Sequence, residues 1–407
     1  MHVYEEIKVM TKLKSIRVAG WKSIKDSEKI ELGALNVFIG ANGAGKSNLV
    51  SFFKLLNEMI SGRLQEFLAT SGGAESVLHY GAKVTPALKA NLELETETGT
   101  AGYYMTLVHA AVDTLIFRGE GVDVFTGPLP EPGGGVDTLI FKGEAVDSRE
   151  DPGWLDELGG MFRSGHRETL IVRAAKEDNE TAKVVRQLLD SCRVYHFHDT
   201  SSSSHIRQPS YVNNDRFLMP DGGNLAAMLY RFRESESTVY SRIVTTVRQI
   251  APFFGDFELE PMPRNPNNIL LNWREKGIDQ IFGPHQLSDG TLRAMALTTL
   301  LLQPETNLPA LIVIDEPELG LHPYAIGVLA SLVMKATHHC QVILATQSPA
   351  ILDAFDPEVV VVVDRKEKGS KFESEFRPLP TAHLDQWLED YTLSEAWEKN
   401  VFGGGPH

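Results

Sequence analysis

Cysteine is almost missing from this chain: 407 residues hold two, Cys192 and Cys340, far apart in sequence. That excludes a disulfide scaffold and a CxxC metal site, and it fits a reducing, cytoplasmic compartment. Bases are in deficit. Lys and Arg total 39 against 54 Asp and Glu, a net charge of −15. Binding to a polyanion is driven by Lys and Arg, so any DNA contact is confined to a local basic patch. Long apolar runs are lacking too. The longest, around 310–314 and 359–363, fall far short of the roughly 20 residues that a bilayer span requires. The opening segment MHVYEEIKVMTKLK has no apolar signal-peptide core. A soluble cytoplasmic protein with no membrane span is the expectation.

What is present is ordinary globular material. The hydrophobic fraction of 42% and charged fraction of 23% suffice for a large core and argue against wholesale disorder. Residues 13–19 and 35–39 read as strands, and 46–60 as a helix. Residues 88–118 alternate apolar and polar, the pattern of antiparallel hairpins. A repeat follows: VDTLIFRGEGVD from Val112 and VDTLIFKGEAVD from Val136 agree at ten of twelve positions. Two copies are too few for a solenoid, so a duplicated strand or hairpin on the surface of the β region is expected. A Ser-rich stretch, 201–204, reads as a mobile loop. Helices are expected over 224–232 and 238–250. From 288 onward helices alternate with apolar strands at 310–314, 340–345 and 358–364, the rhythm of a parallel sheet. The expected organisation is an N-terminal lobe (1–110), a β insertion with the repeat (111–165), a strand plus helical lobe (166–260), a C-terminal lobe (261–365) and a tail (366–407).

Four stretches carry chemistry. Gly40-Ala41-Asn42-Gly43-Ala44-Gly45-Lys46-Ser47 matches G-x-x-x-x-G-K-[ST] between a strand and a helix. Glycines let successive backbone N–H groups curl around a phosphate, and the following helix offers its positive end to the same anion. Lys46 is placed to reach the β- and γ-phosphates, and Ser47 to ligate Mg²⁺. Next, LIVIDE, 311–316, is a buried strand ending in two acids at the edge where parallel sheets bind ligands. Asp315 is the expected Mg²⁺ residue and Glu316 the group that polarises the attacking water. LSDGTLR, 287–293, opens a helix with Ser288 as its cap. ILATQSP, 343–349, ends a strand at Gln347, which can donate to phosphate or orient water but carries no positive charge.

In this order the motifs resemble those of ABC-type ATPases, whose signature reads LSGGQ and whose switch reads THSP. Ser288 and Gly290 match; Asp289, Thr291 and Gln347 depart. The GxNGxGKSN string including Asn48, the opening IRVAGWKS and DEPELGLHP are similar to the SMC/RecF/OLD-like branch, over roughly 13–60 and 285–365. The resemblance implies an α/β P-loop NTPase of ABC-type head architecture: a mixed central sheet, an antiparallel β region and a small helical lobe. It implies Mg-ATP as cofactor and a homodimer that sandwiches ATP against the partner's Ser288 loop. It places Trp21 and Lys22 near base and ribose, and offers Gln208 as the Q-loop Mg²⁺ contact. No sustained heptad repeat fills 47–287, and no DxD pair follows Pro349, so neither an SMC coiled coil nor a TOPRIM nuclease is expected. Similar stand-alone heads serve DNA repair and antiviral defence beside a separate nuclease-like effector. The rival reading is a nucleotide-gated sensor that holds a toxin-like partner with little turnover. Weaker candidates are the pair His196 and His198, near the nucleotide or a metal, and a basic patch of Arg207, Arg216, Arg231 and Arg233.

Overall fold

The computed structural model describes residues 11–96, 99–125, 137–140, 165–177, 179–369, 371–379, 387, 389–403 and 405. It divides into two compact units, each discontinuous in sequence: residues 1–33, 41–193 and 362–377, and residues 34–40, 194–361 and 378–407.

The first unit is built on an antiparallel sheet. Its strands run in the order Ile24–Asp26, Lys12–Trp21, Ala87–Thr96, Gly99–Ala110, Thr114–Phe125, Asp137–Ile140. Registers Ile16↔Leu92, Leu92↔Tyr103 and Tyr103↔Val122 line up side chains that are all buried. This is the period-2 alternation of the sequence turned into one apolar face. The helix Lys46–Ile60 buries Leu49, Val50, Phe52, Phe53, Leu55, Leu56, Met59 and Ile60, and the Phe52 ring meets Trp21 edge-on at 6.0 Å.

The first copy of the repeat is not a surface addition. Its first copy makes the tight turn at Val112 and Asp113 (φ 65° and 57°) and then the strand Thr114–Phe125, with Leu115, Phe117 and Val122 buried. Glu120 of that copy is fully buried yet satisfied. It accepts from Tyr103 Oη (2.7 Å), the Leu170 N–H (2.8 Å) and the Thr169 hydroxyl, with His166 Nε2 at 3.1 Å. The start of the second copy, Asp137–Ile140, pairs antiparallel with Gly121–Val124; its remainder lies outside the described residues.

The second unit holds three parallel strands, Leu35–Ile39, Gln341–Thr346 and Leu311–Asp315, buried along their whole length. Such continuous apolar runs belong to a sheet covered on both faces. Its helices include Leu225–Ser235, Ser237–Ile250, Asp289–Leu302 and Pro323–Ala336. Residues Pro349–Ala354 form 3₁₀ turns where an α-helix is the sequence expectation. The Ser-rich stretch is a hydrogen-bonded turn: Ser201 O accepts both the Ser204 N–H (3.0 Å) and its hydroxyl (2.7 Å), and Ser204 is buried. Among the described residues no helix is long and apolar enough to cross a membrane.

Candidate functional site

Gly43 and Gly45 take φ of 78° and 124°, a backbone closed to side chains, and this folds the loop back on itself ahead of Lys46. The helix that follows has no side-chain cap and no acid in its first turn, so its amino end is left for an anion from elsewhere. Asn42, Gly43 and Ser47 are exposed, while Gly40, Ala44, Gly45 and Lys46 are buried. Lys46 Nζ donates to Ala41 O at 3.1 Å, across the loop.

A directional hydrogen-bond chain holds this loop from behind. Asn48 Nδ2 donates to Ser23 Oγ (2.6 Å), Ser23 shares a 2.7 Å bond with Ser374, and Ser374 Oγ donates to Ala44 O (2.6 Å). Because Ser374 spends its proton on Ala44, Ser23 is the donor to Ser374, and the bonds polarise one another in one direction. Trp21 Nε1 donates to Asn48 O at 2.8 Å. The indole has 0% exposure, so Trp21 braces the loop and offers no surface to a ligand. Lys22 stands in the left-handed region (φ 46°), held by its N–H on Val77 O (2.8 Å) and by His79 Nδ1, which donates to Lys22 O (2.7 Å). Burial, then the nearby Lys54, lowers the Lys22 ammonium pKa.

In the second unit, the registers Thr346↔Ile39 and Asp315↔Ala345 bring the carboxyl ends of three strands level. The start of the P-loop, the switch residues and both acids therefore leave one sheet edge. Asp315 is buried. Glu316 has a left-handed backbone (φ 45°), pinned by its N–H on Ala345 O at 2.7 Å. A non-glycine residue held this way costs on the order of 1–3 kcal/mol, the kind of strain that concentrates at working sites. His198 Nε2 donates to Asp315 O (3.0 Å) and lies 4.0 Å from Glu316 Oε2, while His196 Nδ1 lies 3.9 Å from Asp315 Oδ2. Glu318 is buried behind them and takes a 2.5 Å bond from Thr346 Oγ1. Burial raises its pKa, and the Thr346 bond opposes that shift. Gln347 is half-buried.

Ser288 caps its helix, accepting from the Thr291 N–H at 3.2 Å, and is itself exposed. Gly290 is a steric necessity: a Cβ there would lie 2.1 Å from Gly320 O. Buried and half-buried arginines shape this region. Arg207 is buried, donating to the carbonyls of Thr200, Pro284 and Leu287 and to Asp289 (2.7 Å). It is structural, and so is Arg233, which is bound to Leu259 O, Glu234 and Glu260, so two of the four arginines of the expected basic patch are held within the fold. Arg293 joins Phe197 O (2.9 Å), His198 O (2.8 Å) and Leu319 O (3.1 Å), tying the signature helix to the histidine segment. Gln208 is exposed and donates to Ser202 O at 2.9 Å.

Among the described residues no three His, Cys, Asp or Glu are grouped to hold a metal. The Ser47 hydroxyl and the Asp315 carboxylate are each a hard oxygen donor, the chemistry that Mg²⁺ takes.

A family model described as "AAA domain, putative AbiEii toxin, Type IV TA system" matches residues 151–353. No curated protein matches. Among solved structures, an Smc head bound to the C-terminal winged-helix domain of ScpA covers 91% of this chain and 98% of its own, at 13% identity and TM-score 0.55. The Smc head with an extended coiled coil bound to the C-terminal domain of ScpA, from Pyrococcus furiosus, covers 93% and 99%, at 12% identity and TM-score 0.55. At these identities the likeness is one of fold.

Proposed function

We propose that this chain, whose fold is that of Smc heads, is an ABC-type ATPase of the SMC/RecF-like branch that binds Mg-ATP at Gly40–Ser47 and hydrolyses it slowly. The observation that carries this reading is the shared strand edge, from which the P-loop, the Asp315–Glu316 pair and Thr346–Gln347 depart together. Lys46 and the loop N–H groups hold the β- and γ-phosphates. Ser47 and Asp315 hold Mg²⁺, and Glu316 accepts proton density from the attacking water. Gln347 supplies a neutral hydrogen bond where a histidine is usual, which favours slow turnover. The exposed Ser288 cap serves the γ-phosphate of a second protomer, so the working form is a head-to-head dimer around two nucleotides. Turnover then times a conformational state in DNA maintenance or anti-phage defence, read out by an effector protein. The Smc heads solved with ScpA and the toxin-system family description are consistent with such a partner.

A second reading, a sensor that holds ATP and sequesters a toxin-like partner, is favoured only by Gln347. Steady-state ATP hydrolysis by the wild type and by Lys46→Ala, with and without DNA, separates the two. The enzyme reading expects turnover that Lys46→Ala abolishes. Tight ATP binding with no turnover under any condition supports the sensor.

A further inference from the structure

The peptide unit that joins Asp315 to Glu316 is held on both of its edges. Its N–H, on Glu316, donates to Ala345 O at 2.7 Å, and its carbonyl, Asp315 O, takes the 3.0 Å bond from His198 Nε2. A carbonyl only accepts, so the proton of this bond lies on His198 Nε2. The atoms of a peptide unit are coplanar, so two bonds on opposite edges set the direction of the whole plane. That direction helps to fix the backbone angles of Asp315 and of Glu316, the residue in the left-handed region (φ 45°). Pro317 follows, and a residue ahead of proline is biased toward extended backbone. Glu316 therefore stands in a conformation that its own side chain and its neighbour both oppose. Such a residue keeps its place only while its surroundings impose it.

The two restraints differ in origin. Ala345 belongs to the strand Gln341–Thr346, paired in register with Leu311–Asp315, and its carbonyl continues that pairing. On the other side the neighbouring strand ends at Tyr195, and a histidine side chain takes over where the strand stops. His198 is itself held stiffly. Arg293 Nε donates to Phe197 O at 2.9 Å and Nη2 to His198 O at 2.8 Å, so the backbone is clamped before and after the ring. The His196 ring stands edge-on to it at 5.9 Å. His198 Nε2 lies 4.0 Å from Glu316 Oε2, beyond hydrogen-bond length, so the imidazole grips the backbone beneath Glu316 and not its carboxylate.

We propose that His198 is a positioning residue for hydrolysis: its Nε2–H fixes the Asp315–Glu316 peptide plane and so aims the Glu316 carboxylate at the attacking water. The inference rests on the ATPase reading above and adds a residue outside the four motifs. In this role His198 touches neither nucleotide nor water and works through Glu316.

The test is single-turnover hydrolysis of Mg-ATP by the full chain, with calorimetric ATP binding alongside. His198→Ala frees the peptide plane. The chemical step is expected to slow about 10²-fold, the scale of a misplaced reacting group, while ATP affinity stays unchanged because the P-loop holds the phosphates. His198→Gln sets an amide N–H where Nε2 stands and is expected to recover most of the rate. In the Glu316→Gln background His198→Ala is expected to cost nothing further, whereas a residue that only stabilised the fold would cost the same in either background. A wild-type rate in His198→Ala, a His198→Gln variant as slow as His198→Ala, or a further loss in the double variant would each overturn the inference. If the wild type does not hydrolyse ATP, or Glu316→Gln keeps the wild-type rate, the ATPase reading fails and this inference with it.

Discussion

Ser374 donates its hydroxyl proton to the carbonyl oxygen of Ala44 at 2.6 Å, across 330 positions of sequence. A strand hairpin late in the chain thereby sets the shape of a loop near its beginning. Ser374→Ala removes this bond and strands Ser23 and Ala44 O in a buried site. A typical buried hydrogen bond contributes about 1 kcal/mol, so ATP affinity should fall about fivefold with little change in the fold. Gly45→Ala should be far worse. Its Cβ would sit 2.1 Å from Ser374 Oγ, and its φ of 124° is closed to alanine whatever the space. Combining Gly45→Ala with Ser374→Gly should therefore not restore ATP binding. Recovery measured by calorimetry would mean the clash, not the backbone, was limiting.

Ser288→Arg should leave ATP binding by the monomer near normal and abolish both ATP-dependent dimerisation and turnover. Ser288 is exposed and serves its own chain only as a helix cap, where losses are about 1 kcal/mol. Sedimentation with Mg-ATP decides this: an intact dimer in the variant rejects a composite site.

Deleting residues 112–135 places the second repeat copy directly after Ala111, where it can take the place of Thr114–Phe125 in the sheet. The copies differ at Gly121, which is Ala145 in the second. A Cβ at 121 would lie 2.7 Å from the Tyr104 ring. The deletion should fold with a lowered Tm, keep basal ATP hydrolysis, and regain Tm on Ala145→Gly. Absence of that rescue would show that the second copy does not substitute for the first.

Glu318 supplies a pH test. Burial holds its pKa above the ordinary carboxylate value. The folded state therefore binds this proton more tightly than the unfolded chain does. Its unfavourable contribution is absent below the unfolded pKa, grows between the two values, and is full above the folded one. Glu318→Gln keeps an acceptor for Thr346, so it should raise Tm at pH 7 relative to wild type. The gain should vanish near pH 4. A gain that grows on acidification would contradict the assignment.

Much of this was legible because it is local. The helix 46–60, the strand 311–315 and the Ser288 cap follow from short-range pattern and the steric demands of glycine. Ser374 and Tyr80 are not legible: their partners, Ala44 and Phe372, lie 330 and 292 positions away, and nothing in the local sequence marks them. The resemblance of its segment places Trp21 beside the nucleotide, whereas its burial and its bond to Asn48 O set it behind the loop. Arg207 differs from its sequence expectation for the complementary reason: a cluster of charges in sequence says nothing about whether backbone carbonyls await one of them inside the fold.

The central claim is that the chain hydrolyses ATP with Glu316 as the group that takes up proton density from water. Single-turnover hydrolysis of Mg-ATP by wild type, Glu316→Gln and Gln347→Ala tests it most directly. General-base contributions are about 10²- to 10⁴-fold, whereas a neutral hydrogen bond of roughly 0.5–1.5 kcal/mol is worth about tenfold at most. Glu316→Gln should bind ATP normally, accumulate an ATP-bound dimer and lose the chemical step by at least the lower of those factors. Gln347→Ala should only slow it. Hydrolysis at the wild-type rate by Glu316→Gln would contradict the account, and a Gln347→Ala variant as inactive as Glu316→Gln would reverse the roles assigned to the two residues.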